Sequence, residues 1–315
     1  MEGHLSLKVL VYGYCHKGNA GDDFFQDAFE LLFPQYRFTF TDCITCEQAN
    51  SHDVLWIGGG SLLDGEIVAE PIARLSYQSM PTLYLGVGTE TDIHPDHQYM
   101  LQHALLVATR TAGTTFAHPR LIHIPDLVYA LSGRIQEAPT TKRLLFLPNI
   151  SVVPNHADPH WKHSSWQYFK TECAQFLDQV IGNGYEVNFC AMSHNPEAND
   201  VWASAELLNM MRSRHGVRVL TYQARSFQQL LAVFGQYSHI VTQRYHGIVV
   251  ADIAQRPVVS IAHHDKLKAN SSVVPYYGVT KHDLLVQLES AKVNPVNADF
   301  TEFKAAVERA CATLA

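Results

Sequence analysis

Arg244 and His246 stand one residue apart in the stretch Thr242-Gln243-Arg244-Tyr245-His246-Gly247. A guanidinium is a permanent cation with a forked set of donors, suited to a phosphate or carboxylate, and an imidazole exchanges a proton near neutral pH. On one turn, the two would hold an anionic substrate and protonate it. The bland alternative is a surface arginine beside a hydrogen-bonded structural histidine. The flanking pattern speaks to this choice. The β-branched run His239 to Thr242 precedes the motif and the apolar segment Ile248 to Ala251 follows it. That pattern predicts a strand, a tight turn and a helix, the place where α/β proteins present ligand-binding side chains.

Other segments have the same form. Leu105 to Ala108 reads as a strand delivering Arg110, and Pro257 to Ile261 as a strand followed by His263-His264-Asp265-Lys266. Lys8 to Gly13 is a β-rich run. It is followed by a polar loop from Tyr14 to Gly21 and by a helix from Asp22 to Leu32, with Asp22 placed to cap it. Within that loop, Gly18-Asn19-Ala20-Gly21 is either a plain turn or a site that directs main-chain amides, those of Asn19 and Gly21 among them, toward an anion or sugar. The loop has neither the spacing of the dinucleotide fingerprint nor the lysine of a Walker loop. Val54 to Ile57 runs as a strand into Gly58-Gly59-Gly60-Ser61, which is either a connection needing positive φ or a close approach of ligand to backbone.

Helices are expected over Ile67 to Tyr77, Tyr99 to Ala104, Trp166 to Ile181, Asp200 to Arg212, Lys281 to Glu289 and Phe300 to Leu314, with a long polar loop over Pro148 to Ser165. Alternating strands and helices with short connections predict mainly parallel sheets covered on both faces. At 315 residues the chain is long enough for two domains. Ser132 to Lys142 is the expected linker, which gives an N-terminal Rossmann-like domain over 1–138 and a C-terminal one over 139–315.

A net charge of −7 with 17% charged residues argues against sequence-independent nucleic-acid binding. No membrane-length apolar run and no leader pattern are seen, so a cytoplasmic protein is expected. The six cysteines are scattered in the manner of reduced thiols. Cys43-x-x-Cys46 is half a zinc motif, and no metal site is expected.

In order along the chain stand Gly13-Tyr14, Gly18-Asn19-x-Gly21-Asp22-Asp23, Gly58-Gly59-Gly60-Ser61-Leu62, Arg244-Tyr245-His246-Gly247 and Asp265-Lys266. With these motifs the chain resembles the polysaccharide pyruvyl transferase family. The resemblance implies a GT-B-like pair of Rossmann-like domains with an interdomain cleft, and a last helix that packs back on the N-terminal domain. It also implies transfer of a pyruvyl group from phosphoenolpyruvate to saccharide hydroxyls, forming a ketal and releasing phosphate. No cofactor beyond that donor substrate is implied. The alternatives are a nucleotide-sugar-dependent glycosyltransferase on the same architecture and a non-catalytic glycan-binding protein.

Phosphoenolpyruvate carries a phosphate and a carboxylate, which suits Arg244, Arg110 and Lys266, with Gly247 in the same turn. His246 is the candidate acid for the methylene carbon, and Asp22 or Asp23 the candidate base. Asn19, Gly21, Gly59, Gly60 and Ser61 are left for the acceptor or an anion loop. The saccharide is compatible with a lipid-linked one, and peripheral membrane association and a homo-oligomer are compatible with the sequence.

Overall fold

The computed structural model describes residues 7–88, 92–110, 118–131, 137, 139–149, 159–196, 199–222, 226–269 and 272–314, with the side chains of 159–164 outside the described set. Thr111, most of the expected linker, and the part of the long loop holding His156 therefore lie outside the described residues. The chain divides into two compact units. One comprises Met1–Lys17, Gly21–Leu131 and Asn297–Ala315; the other comprises Gly18–Ala20 and Ser132–Val296.

The first unit contains β1 (Lys8–Tyr12), α1 (Ala20–Leu32), β2 (Arg37–Thr41), α2 (Cys46–Ser51), β3 (Val54–Gly60), α3 (Ala73–Gln78), β4 (Thr82–Val87), α4 (Pro95–His103), β5 (Leu106–Thr109) and β6 (Leu121–His123). Its sheet has the order β2-β1-β3-β4-β5-β6, and every pairing is parallel. Because helices cover both faces, the central strands are buried along their whole length, as in β3 and β4. Trp56 on β3 is surrounded edge-on by Phe29, Phe33, Tyr36 and Phe38.

The second unit contains β7 (Arg143–Leu147), α5 (Pro159–Gly182), β8 (Glu186–Ala191), α6 (Asp200–Met210), β9 (Val219–Thr221), α7 (Phe227–Gly235), β10 (His239–Thr242), α8 (Tyr245–Ile253), β11 (Val258–Ala262), β12 (Val273–Pro275) and α9 (Lys281–Ser290). Its sheet runs β12-β11-β10-β7-β8-β9, again parallel throughout. Counted within the unit, this is the doubly wound order of a dinucleotide-binding domain, with its reversal between β7 and β10. The last helix, α10 (Thr301–Ala312), belongs to the first unit. There Phe303 meets Phe33 edge-on, and Gln35 Nε2 donates to Glu308 Oε1.

Three sequence expectations shift for identifiable reasons. No helix spans Ile67 to Ile72; α3 begins only at Ala73, beyond Pro71, whose ring disfavours a helical residue before it. Conversely, α5 reaches back to Pro159, inside the expected polar loop, because proline is accommodated as the first residue of a helix. His160 and His163 thus fall on α5 rather than on a loop. The first helix starts at Ala20 rather than Asp22, so Gly21, Asp22 and Asp23 lie in its first turn and Asp22 is not the cap. Carboxylates in a first turn still favour the helix through its dipole. The sequence reading missed α2, whose capping box joins Thr45 and Gln48. No helix among the described residues is long and apolar enough to cross a membrane.

Candidate active site

In the second unit the topology directs attention to the carboxyl ends of β7 and β10, where the strand order reverses. The chain leaves β10 at Thr242, turns through Gln243 and Arg244, and enters α8 at Tyr245. Thr242 Oγ1 closes the turn, accepting from the Arg244 amide at 2.9 Å and donating to the Arg244 carbonyl at 3.0 Å. Gly247 is required by proximity: a Cβ there would fall 2.3 Å from Thr242 Oγ1. The helix is therefore seated directly on the strand end. Its residues Gly247 to Ile253 are all buried, so α8 cannot shift without disturbing the core. Gln243, almost fully buried, is fixed to β7 by its amide on the Leu147 carbonyl and by its Oε1, which accepts from the Asn149 amide.

Arg244 is held by Asp200, the first residue of α6. Its Nη2 donates to Oδ1 at 2.5 Å and its Nε to Oδ2 at 3.1 Å. The Asp200 side chain has no exposed surface and also accepts from the amides of Met192 and Ser193. Burial is the largest influence on this carboxyl and pushes its pKa up, while Arg244 and the two amides pull it down. With four donors aimed at it, the geometry holds a carboxylate. His246 lies half-buried in the first turn of α8, and Lys266 half-buried in the short helical turn Asp265–Ala269 that follows β11. Asn19 also belongs to this unit. Gly18 accepts from the His194 amide, Ala20 donates to the Met192 carbonyl, and Asn19 bridges to Ser193 in antiparallel fashion. Met192 and Ser193 are the residues whose amides hold Asp200.

In the first unit the strand order reverses between β1 and β3. Here glycines dominate. A Cβ on Gly13 would lie 2.8 Å from the Gly58 carbonyl oxygen, and one on Gly59, whose φ is +78°, would lie 2.3 Å from the Phe25 ring. Gly60, with φ of +97°, packs so that a Cβ would come 2.9 Å from Asp22 Oδ1. Asp22 and Gly60 are therefore neighbours. Asp23 Oδ1 accepts from the His16 amide at 3.0 Å, a bond that ties the loop to α1. Burial, reinforced by Asp22, Asp23 and Asp42, pushes the Cys15 thiol up to about 12, so that residue is protonated at neutral pH.

Arg110, just past β5, donates from Nη1 to Asp126 Oδ2 at 2.5 Å and from Nη2 to Ser61 Oγ at 3.4 Å, with its guanidinium 5.8 Å from the Phe25 ring centre. Asp126 is fully buried as a side chain and caps the short turn Leu127–Ala130 through Val128 N.

The candidate residues therefore fall into two sets. Arg244, His246, Gly247, Lys266 and Asn19 lie in the second unit; Gly21, Asp22, Asp23, Gly59, Gly60, Ser61 and Arg110 lie in the first. Asp200 and Asp126 were missed. Each is a loop-to-helix aspartate in sequence, and the only sign of its partner is spatial, 44 and 16 residues away respectively.

The model of the polysaccharide pyruvyl transferase family matches residues 10–265. No curated protein matches the chain in sequence. Among solved structures, the chain is similar to UDP-GlcNAc 2-epimerase from Methanocaldococcus jannaschii, with TM-score 0.59, 9% identity, and coverage of 97% of this chain and 99% of that one. It is similar too to UDP-GlcNAc 2-epimerase from Neisseria meningitidis, with TM-score 0.58, 9% identity, and coverage of 98% and 100%. A third, S. aureus MnaA, gives TM-score 0.56 at 10% identity and covers 98% and 97%. At these identities the likeness shows the fold, a GT-B-like pair of Rossmann-like domains. The match from residue 10 to residue 265 takes in the glycine-lined strand ends of the first unit and the arginine–histidine turn of the second, and by it the chain belongs to the polysaccharide pyruvyl transferase family, a family of transferases.

Proposed function

We propose that the protein moves the pyruvyl group of phosphoenolpyruvate onto saccharide hydroxyls, forming a pyruvate ketal and releasing phosphate. The observation that carries this reading is the turn after β10. A guanidinium clamped by a buried carboxylate, an imidazole two residues on, and a helix N-terminus share one fixed piece of backbone at the point of strand reversal.

In the proposed reaction Arg244 and Lys266 hold the phosphate and carboxylate of the donor, with Gly247, whose amide donates to the Arg244 carbonyl, seating the turn that presents them. His246 delivers a proton to the methylene carbon, which becomes a methyl group, and the adjacent carbon becomes electrophilic. A sugar hydroxyl adds to that carbon and gives up its proton to a carboxylate, Asp22 or Asp23. Phosphate then departs with the electrons of its carbon–oxygen bond, and a second hydroxyl closes the ketal as its proton passes to the departing phosphate. Asn19, Gly21, Gly59, Gly60 and Ser61 are assigned to the acceptor. Arg110, whose charge is met by Asp126, is assigned to holding the Ser61 loop.

The test is incubation with phosphoenolpyruvate and a panel of glycosides, reading phosphate release and the mass of the sugar product. Phosphate should appear only when an acceptor is present. An Arg244→Ala protein with a normal rate would sink the assignment. Thermal stabilisation by nucleotide sugars together with indifference to phosphoenolpyruvate would instead indicate a glycosyltransferase.

A further inference from the structure

The crevice at the strand reversal of the second unit holds a buried hydrogen-bond donor that the fold leaves unused. Gln243 stands between Thr242 and Arg244 in the turn after β10 and reaches across to the end of β7, the strand paired with it. Its main-chain amide donates to the Leu147 carbonyl at 2.9 Å, and its side-chain Oε1 accepts from the Asn149 amide at 3.0 Å. A main-chain N–H can only donate, so the second bond fixes which end of the carboxamide is oxygen. The other end, Nε2, has two hydrogens to give. It is buried and has no hydrogen-bond partner among the described residues. Turning the carboxamide over would not help, because Nε2 would then face the Asn149 amide, donor against donor. An unmet donor in the interior is costly, and native folds rarely keep one without a use.

The surroundings connect this donor with the residues assigned to the substrate. A Cβ on Gly247 would lie 2.3 Å from Thr242 Oγ1 and 3.0 Å from Leu147 Cδ2. The first turn of α8, which carries His246, therefore sits over the ends of both strands that Gln243 joins. Arg244 follows Gln243 directly, with its guanidinium held by Asp200. Carboxamide, guanidinium and imidazole thus fall within four consecutive residues at one crevice, the place where open parallel sheets take their ligands.

We infer that Gln243 is a further donor-binding residue, whose Nε2 gives a hydrogen bond to an anionic oxygen of phosphoenolpyruvate as that molecule enters the crevice. The inference rests on the function proposed above. Arg244 and Lys266 supply charge, whereas a neutral carboxamide supplies direction: its plane is held by the Asn149 amide, so Nε2 is presented one way and orients the donor. Solvent does not reach Nε2. The bond is therefore a dry one, and to a charged oxygen it is worth about ten- to a hundredfold in affinity.

The experiment follows the side-chain carboxamide signals of Gln243 in the NMR spectrum of the full chain, assigned through its backbone resonances, as phosphoenolpyruvate is added. The pair should move as the donor binds. Kinetics give a second reading. Gln243→Glu keeps an oxygen for the Asn149 amide and replaces the donor by an acceptor, while Gln243→Met keeps the length and removes both. In each, checked by thermal melting to be folded, the KM for phosphoenolpyruvate should rise about ten- to a hundredfold while the KM for the saccharide stays within about twofold. A structural role alone would lower the melting temperature and spare the KM. Signals that stay in place at saturating phosphoenolpyruvate overturn the inference alone, and so does an unchanged KM in either folded variant. Absence of any phosphoenolpyruvate binding to wild type overturns the proposed donor, and the inference with it.

Discussion

Each unit fixes one strand-end arginine with one buried aspartate, yet the two pairs are built into different surroundings. In the first unit Asp126 caps a turn on one side and receives Arg110 on the other, while the guanidinium lies over Phe25 and reaches Ser61. Its hydrogen bonds to Asp126 and Ser61 join two loops. In the second unit Asp200 takes two guanidinium bonds and two main-chain amides, and Arg244 opens a helix that carries His246 in its first turn. The same local device therefore meets loop and ring contacts in one place and the start of a histidine-bearing helix in the other. What differs is what the following residues supply. After Arg244 come an imidazole and the first turn of a helix; past β1 and β3 come glycines and packed backbone.

The comparison is sharpened most by the imidazole. His246→Gln should lower kcat by about two to four orders of magnitude, the usual contribution of a positioned acid, while the unfolding midpoint barely moves. Arg110→Lys should leave the rate per folded molecule within a few-fold of wild type. If Arg110→Lys instead abolished turnover, as Arg244→Ala is expected to, the division of labour between the two pairs would be wrong.

Next in size are the buried carboxylates. Asp200→Ala and Asp126→Ala each strand a guanidinium, and each should cost roughly 3–5 kcal/mol in chemical denaturation. Only the Asp200 series should also affect chemistry. Asp200→Asn, which keeps the shape and loses the charge, should raise the KM for phosphoenolpyruvate, whereas Asp126→Asn should not.

A smaller effect separates the units by pH. His97 of the first unit is fully buried with its Nδ1 at 3.1 Å from the Tyr84 hydroxyl, and burial, with His94 adding to it, lowers its pKa to about 4. Because the folded value lies below the unfolded one, its neutral form stabilises the fold fully above pH 6.5. That contribution, about 3 kcal/mol, is lost as pH falls from 6.5 toward 4. The urea midpoint should follow this course, and His97→Phe should flatten it. Added phosphoenolpyruvate should leave the His97 course in place, since that ring is sealed in the core of the first unit. The smallest effect is Thr45→Ala, which removes the α2 capping box and should cost about 1 kcal/mol with no change in rate.

The sequence made most of the architecture legible because its signals are local. Apolar runs of strand length bounded by glycine or a charged turn identified β1, β3, β5, β10 and β11, and helical spacing found α1 and α6 within a few residues. Two of the errors occurred where a proline has two readings. Pro71 stops a helix and Pro159 starts one, and composition alone does not say which. The Arg244-x-His246 turn was legible for the same local reason, since strand, turn and helix follow one another within fifteen residues, from His239 to Ile253.

Tertiary structure decided what those residues face. That Arg244 is anchored by Asp200 and Arg110 by Asp126 depends on segments that meet only after both sheets have formed. No spacing rule relates them, because a charged residue's partner is fixed by strand order and helix packing rather than by sequence distance. The same holds for Gly247 and Gly59. Their identity is visible in the chain, but the need for it arises from Thr242 Oγ1 and the Phe25 ring lying where a Cβ would go. Residue types and local periodicity thus determined the layered α/β fold and the presence of an arginine–histidine turn between a strand and a helix. The close packing of distant segments alone determined which aspartate meets which arginine.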